Sequence, residues 1–329
     1  MDSAPNLIAR AITDAGDSVE DGPDPRLHTA EYLPDGIRRI AREQLIDARY
    51  GLSKPSGRRL AAAVHESRKQ LKLVRALLRL ARDGLGEETY KGENASLRRA
   101  GQRLSPARDA QVLFDTLETL RERLDHELPG DATDFLCARL EDDRQRAEAA
   151  LRKDAREIEA VLGGLDEALA RTSDWSLQPD DFAALSPGLR RTYRRGVRAL
   201  RAARRDPSAE NLHEFRKRVN DLRHASEVLC EARPKRLHKV AERAHEVGDL
   251  LGDNHDLYVL REYVLAHPQC FADEDAKQAL LDVIDTRAAL LCKRALKRGK
   301  RLYELSPKGF VRWVERGWNA RAGGASLGG

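Results

Sequence analysis

A chain of 329 residues is long enough to bury a core without disulfide or metal staples, and about 150 residues per domain gives a prior of two domains. Aromatics are only 5%, while Ala, Leu, Arg and Glu dominate, a helix-forming composition that excludes an all-β sandwich or barrel. The net charge of +5 hides an asymmetry: residues 1–25 carry six acids against Arg10, so the remaining chain holds +10, which suits an anionic partner.

Residues 1–30 are rich in Asp, Pro and Gly around Asp21-Gly22-Pro23-Asp24-Pro25 and read as an acidic, disordered tail. The opening Met1-Asp2-Ser3-Ala4-Pro5 lacks the basic and apolar regions of a signal peptide, and no apolar run approaches membrane-spanning length. Apolar periodicity predicts helices over about 36–50, 58–83, 94–124, 131–171, 187–204, 208–230, 234–266 and 273–304, with a shorter one over 307–318. Between them stand turn signals such as Lys54-Pro55-Ser56-Gly57, Asp83-Gly84-Leu85-Gly86, Pro129-Gly130 and Asp206-Pro207-Ser208. Residues 321–329 read as a flexible end. Cys137, Cys230, Cys270 and Cys292 are scattered, with no CxxC pair, so they read as small buried hydrophobes in a reducing, cytoplasmic setting.

An internal repeat organises these elements. Val64-His65-Glu66-Ser67-Arg68-Lys69 recurs as Leu212-His213-Glu214-Phe215-Arg216-Lys217, 148 residues on. Gly101, Leu104, Asp109, Val112 and Leu113 recur as Gly248, Leu251, Asp256, Val259 and Leu260, 147 residues on. Pro34-Asp35-Gly36-Ile37-Arg38-Arg39 likewise resembles Pro187-Gly188-Leu189-Arg190-Arg191. The chain therefore reads as an all-α duplication of a four-helix unit, 31–175 and 176–320, with the boundary near Trp175 and Pro179. Four amphipathic helices with short loops pack most simply as an antiparallel bundle.

The helix through His65 carries a one-sided cationic face. At 100° per residue, His65, Arg68, Lys69, Lys72, Arg75, Arg79 and Arg82 fall within an arc of about 140°, opposite Leu71, Val74, Leu77 and Leu78. No acid interrupts the run from Arg68 to Arg82. Neighbouring cations roughly 6 Å apart repel by about 0.7 kcal/mol in water and about 3 kcal/mol at an effective dielectric of 20. The second copy groups His213, Arg216, Lys217 and Arg223 opposite Phe215, Val219, Leu222 and Leu229, with Asn220 and Glu227 where the first has Lys72 and Arg79. A solvated surface face is the bland explanation of one such run, but two copies with the same His-x-x-Arg-Lys spacing favour an anion site. Arg38 with Arg42, Arg190 with Arg194 and Arg198, and Lys293, Arg294, Lys297 and Arg301 form further cationic rows, for which surface solubility is the simpler explanation.

His65 and His213 sit at the centre of their arcs, where an imidazole offers an N–H donor in either protonation state. His224, His238, His245 and His255 make weaker candidates. His65-Glu66 and His213-Glu214 open like a zinc-protease helix, but Lys69 and Lys217 stand where the second histidine is needed. Asp109 and Asp256 read as helix caps or orienting ion-pair partners ahead of metal ligands, and Glu66 and Glu214 as partners of nearby arginines.

At these residues the sequence resembles the CHAD domain family, named for its histidines and helical character. The likeness rests on His65-x2-Arg68-Lys69-x2-Lys72-x2-Arg75 and His213-x2-Arg216-Lys217-x5-Arg223. It extends to Leu104-Ser105-Pro106-Ala107-Arg108-Asp109-x2-Val112-Leu113 and Leu251-Gly252-Asp253-Asn254-His255-Asp256-x2-Val259-Leu260, and to the ending Gly299-Lys300-Arg301-Leu302-Tyr303-x3-Pro307-x2-Phe310. It covers about residues 30–320. The resemblance implies two four-helix bundles related by a pseudo-twofold, their basic helices facing a shared central groove. It also implies binding of inorganic polyphosphate and association with polyphosphate granules. Many members are fused to a triphosphate-tunnel catalytic domain, for which residues 1–30 are too short. Asn220 for a lysine and Ser105-Pro106 for Leu-Gly depart from the pattern, and the first of these weakens the symmetry of the two faces.

The leading expectation is a non-enzymatic polyphosphate-binding module without cofactor or metal. Its candidate residues are His65, Arg68, Lys69, Lys72, Arg75, Arg79, His213, Arg216, Lys217 and Arg223, joined by Arg38, Arg42, Arg190, Arg194, Lys293 and Arg294. Free imidazole titrates near 6.5, so binding is expected to tighten below about pH 6.5. A nucleic-acid binder is the alternative, disfavoured because no aromatic lies inside either arc to stack a base. A phosphoanhydride-processing enzyme lacks a P-loop or a magnesium-binding carboxylate cluster. A scaffold docking a protein through residues 1–30 or through Phe310, Trp313 and Trp318 is the fourth reading.

Overall fold

The computed structural model describes residues 22–53, 59–123, 130–153 and 155–325. These form α-helices and short 3₁₀ turns, with no strand among the described residues. The first six helices are α1 (Leu33–Ser53), α2 (Arg59–Leu85), α3 (Glu87–Arg103), α4 (Ser105–Arg123), α5 (Gly130–Lys153) and α6 (Ala155–Arg171). After 3₁₀ turns at Thr172–Asp174 and Phe182–Ala184 come α7 (Ser186–Arg205), α8 (Ala209–Val228), α9 (Pro234–Ala266), α10 (Glu274–Leu302) and α11 (Pro307–Ala325). No helix among the described residues is long and apolar enough to cross a membrane.

Local chemistry sets the helix ends. Ser208 accepts a hydrogen bond from Asn211 N to start α8, and Asp273 accepts from Ala276 N to start α10. Proline opens α7 and α9, where its missing N–H costs no helical bond. Gly86, at φ 84°, turns the chain between α2 and α3 in a conformation that favours glycine. The helix expected over 94–124 begins earlier, at Glu87, and divides at Leu104 into α3 and α4. Pro106 has no N–H to donate to the carbonyl four residues back, so the ladder lapses there. The equivalent Gly252-Asp253 runs unbroken inside α9. The helix expected over 131–171 consists of α5 and α6.

Two hydrophobic clusters hold the helices. The larger one joins α1, α2, α3, α6, α7 and α8, the first half of α9, the end of α10 and α11, with Ile37, Leu77, Leu165, Tyr193, Phe215 and Trp318 among its members. The smaller packs α4 and α5 against the end of α9 and the start of α10, through Leu117, Leu136, Leu260 and Ile284. The boundary expected at 175/176 lies between the two 3₁₀ turns of that region, yet each cluster draws residues from both sides of it.

Lead-in segments also cross over. Leu27 N donates to Val228 O at the end of α8 (2.9 Å), and Gln178 N donates to Gly84 O at the end of α2 (3.0 Å). Residues 22–30, expected within the disordered tail, are fixed here. Leu27 is fully buried, His28 Nδ1 pairs with Glu231 at 2.7 Å, and Thr29 N donates to the same carboxylate. One apolar side chain and one acid about 200 residues away anchor a stretch that has no periodicity of its own. Residues 1–21 of that expected tail, and the separators at 54–57 and 129, lie outside the described residues. At the other end, α11 continues to Ala325, past the expected 318 and into the segment expected to be flexible, while 326–329 lie outside the described residues. Phe310 and Trp318 are buried in the larger core, and Trp313 is half-buried against it. Cys270 is buried and the other three cysteines are half-buried, all free.

Candidate functional site

The apolar side of α2 is buried as its periodicity predicts, with Leu71, Val74, Leu77 and Leu78 at 2% exposure or less. Its cationic arc divides into two parts. Toward the C-terminus, groups on other elements meet the charges. Arg75 Nε donates to Asn94 Oδ1 of α3 (3.0 Å), and Arg82 pairs with Glu87 (2.7 Å) and lies over the Tyr90 ring. Burial pushes the Arg75 guanidinium below its ordinary range, helped by Arg79 and Arg98. Toward the N-terminus, His65 is half-buried, Arg68 donates to Gly101 O (3.0 Å), Lys69 pairs with Glu66 one turn back, and Lys72 is exposed.

Where α2 meets α7 and α8, arginines gather on one carboxylate. Asp221 of α8 accepts from Arg79 Nη2 of α2 (2.6 Å) and lies 2.7 Å from Arg218 Nη1 of its own helix. Arg82, Arg191 and Arg195 line the same small cavity. Glu214 supports Arg218 at 3.1 Å, and Asp83 pairs with Arg191 at 2.6 Å. Glycine makes this approach possible: a Cβ on Gly188 of α7 would overlap the Leu80 carbonyl of α2. Arg79 is therefore a tie between two helices, and the repulsion expected along α2 is relieved from neighbouring elements.

The second copy forms a compact group between α8 and α9. The ring of His213 lies 4.7 Å from that of His255 of α9, beside Arg216 and Lys217. Arg216 rests on Gly252, where a Cβ would stand 3.1 Å from Nη2. Arg216 is half-buried, Lys217 is exposed, and neither has a carboxylate partner among the described residues. Burial, then the charges of Lys217 and Arg216, hold His213 below its ordinary pKa. Burial, then His213 and the same two cations, push His255 down to about 4. Both rings are therefore neutral at pH 7, each with an N–H to donate, and the Nδ1 of His213 is buried without a partner. This lowers the titration window of His213 and His255 below the 6.5 expected of free imidazole. His255, a weak candidate in the sequence, belongs to this group because it packs on a histidine 42 residues away.

Other expected site residues lie elsewhere. Arg223 bonds Glu227 (2.8 Å) and His245 (3.3 Å), away from His213. With His224, Arg223 outweighs the burial of Glu227 and brings that carboxyl down to about 2. Arg38 donates to Trp175 O (2.7 Å), and Arg42 donates to Thr172 Oγ1 and Leu169 O. Those two arginines tie α1 to the end of α6. Arg190 and Arg194 line a cleft between α7 and α11. Lys293 and Arg294 lie on α10. Glu66 pairs with Lys69 rather than an arginine, while Glu214 does meet arginines. Asp256 lies in the interior of α9, so it caps no helix. No metal-binding group of three or more His, Cys, Asp or Glu occurs among the described residues.

The sequence pattern of the CHAD domain family matches residues 20–265, which include both basic helices and the His213–His255 pair. Among solved structures, PptA from Streptomyces chartreusis is similar in fold, with a TM-score of 0.61 at 16% identity, over 84% of this chain and 100% of that one. No curated protein matches the sequence. The match spans well over half of the residues, and the chain belongs to the CHAD domain family.

Proposed function

We propose that this chain is a non-catalytic binding module for inorganic polyphosphate, which it holds between the cationic faces of α2 and α8. The observation that carries this reading is the α8–α9 group. Two neutral histidines and two cations without carboxylate partners among the described residues stand together, with Gly252 leaving room for the Arg216 guanidinium. A guanidinium grips phosphate oxygens through paired donors, a lysine acts as a movable point charge, and a neutral imidazole donates one hydrogen bond. Arg68, Lys69 and Lys72 of α2 supply the cations of the first half, with Lys69 held by Glu66 and Arg68 by the Gly101 carbonyl. Seen this way, the chain is a duplicated four-helix unit: α1, α2, α3–α4 and α5–α6 correspond to α7, α8, α9 and α10. The crossed lead-in segments on Gly84 and Val228 support that correspondence. The module works in the cytoplasm and at polyphosphate granules.

The test is direct binding of long-chain polyphosphate at fixed salt, with RNA and duplex DNA as competitors at equal phosphate concentration. The expected result is preferential binding of polyphosphate, strong loss in Arg68→Ala/Lys69→Ala and Arg216→Ala/Lys217→Ala, and unchanged chain length after incubation with magnesium. Equal affinity in the variants overturns the site. Shortened chains overturn the non-catalytic assignment, and preference for RNA overturns the ligand.

A further inference from the structure

A second basic cleft of about 470 Å³ opens between α7 and α11. Arg190 and Arg194 on α7, one turn apart, and Lys308 and Arg312 on α11, also one turn apart, give it two cationic rows, and Arg191 of α7, paired with Asp83, lines both the cleft and the arginine cluster around Asp221. No carboxylate pairs with Arg190, Arg194, Lys308 or Arg312 among the described residues. Glu315 also lines the cleft but forms no ion pair with them. The first turns of α7 and α11 both border it, so two positive helix ends add to the field. The hydroxyl of Ser186, at the start of α7, is shielded from solvent and has no hydrogen-bond partner among the described residues.

Solubility alone accounts poorly for this arrangement. The four cations are exposed and partly screened by solvent, but two rows that line one cleft without a carboxylate partner among the described residues favour a multiply charged anion between them. The lining has no aromatic ring on which a nucleobase could stack, and its apolar part is only Pro187 and Val311. The chemistry that fits is phosphate oxygens alone. We propose that the α7–α11 cleft is a second binding site for condensed inorganic phosphate, joined through Arg191 to the α2–α8 region. This deepens the function proposed above and rests on it: a chain long enough to leave the α8 group continues along Arg191 into the cleft.

The experiment compares the full chain with Lys308→Ala/Arg312→Ala, both positions lying outside the hydrophobic clusters. Each phosphate-pairing cation removed lowers the slope of log K against log salt by about 0.7, so the double change lowers it by about 1.4 and weakens long-chain polyphosphate about 25-fold at 0.1 M salt. Glu315→Gln shifts binding in the opposite direction. Tripolyphosphate, too short to bridge, binds the parent at two sites and the double variant at one. Parent-like affinity, slope and stoichiometry in Lys308→Ala/Arg312→Ala overturn the cleft. If the Arg216→Ala/Lys217→Ala change abolishes long-chain binding meanwhile, the function stands without it. Should Arg216→Ala/Lys217→Ala bind normally while Lys308→Ala/Arg312→Ala loses a tripolyphosphate site, the cleft stands and the α2–α8 assignment falls. A parent chain that binds no condensed phosphate overturns both.

Discussion

Asp221→Asn isolates the ion pair that joins the two basic helices. Its carboxylate lies 2.6 Å from Arg79 and 2.7 Å from Arg218, with side-chain exposures of 11% for the acid and 20% and 12% for the arginines. Removing one partner of a buried ion pair costs about 3–5 kcal/mol, chiefly because the stranded charge remains desolvated. Arg218 keeps Glu214 at 3.1 Å, so the penalty falls mainly on Arg79 and belongs at the lower end, about 3 kcal/mol. At roughly 2 °C per kcal/mol for a chain of this size, calorimetry should show a melting temperature about 6 °C lower. A pair this poorly exposed is weakly screened, so the deficit persists at high salt. The same change removes a negative charge beside five arginines, so long-chain polyphosphate should stabilise the variant more than the parent. A melting temperature within about a degree of the parent at low salt would refute the reasoning, since α2 and α8 would then not depend on this tie.

Three further outcomes follow from the α8–α9 group. His213 and His255 have native pKa values below those of the unfolded chain, so the folded protein binds fewer protons than the unfolded one. Stability should therefore fall as the pH drops from about 6.5 toward 4, and His255→Gln should flatten that fall in pH-dependent melting. Bound polyphosphate favours the imidazolium forms, so titration calorimetry near pH 5 in buffers of different ionisation enthalpy should show proton uptake that is absent in His213→Gln/His255→Gln; uptake equal to the parent's removes the histidines from the mechanism. Gly252→Ala places a methyl 3.1 Å from a flexible guanidinium end, so its melting temperature should stay within a few degrees while polyphosphate affinity falls several-fold; unchanged affinity detaches Arg216 from the ligand.

Helical class, most helix spans and the apolar faces of α2 and α8 were legible because each depends on residues three or four apart. What stayed hidden depends on pairs distant in sequence. The division of the α2 arc required Asp221 and Asn94, and the importance of His255 required His213. The order of residues 22–30 required Glu231 and the pocket that accepts Leu27. Arg38 and Arg42 look like a ligand row in sequence, but beyond the Arg38–Asp35 ion pair their partners are carbonyls and a hydroxyl at and just past the end of α6, which no charge pattern reveals. The α7–α11 cleft had two of its five cations marked as candidates in the sequence, Arg190 and Arg194, while Lys308 and Arg312 lay in a helix read for its aromatics. The Ser105-Pro106 departure carried a structural consequence, the break between α3 and α4.

The central claim is that the cationic faces of α2 and α8 grip a single polyphosphate chain. Titration of a long chain of uniform length into the parent, Arg68→Ala/Lys69→Ala and Arg216→Ala/Lys217→Ala tests it through stoichiometry and affinity together. One binding event per protein, whose Kd is weakened by either pair of changes, is the predicted result. Two events in the parent, of which each variant lacks one while the other keeps its Kd, would contradict it.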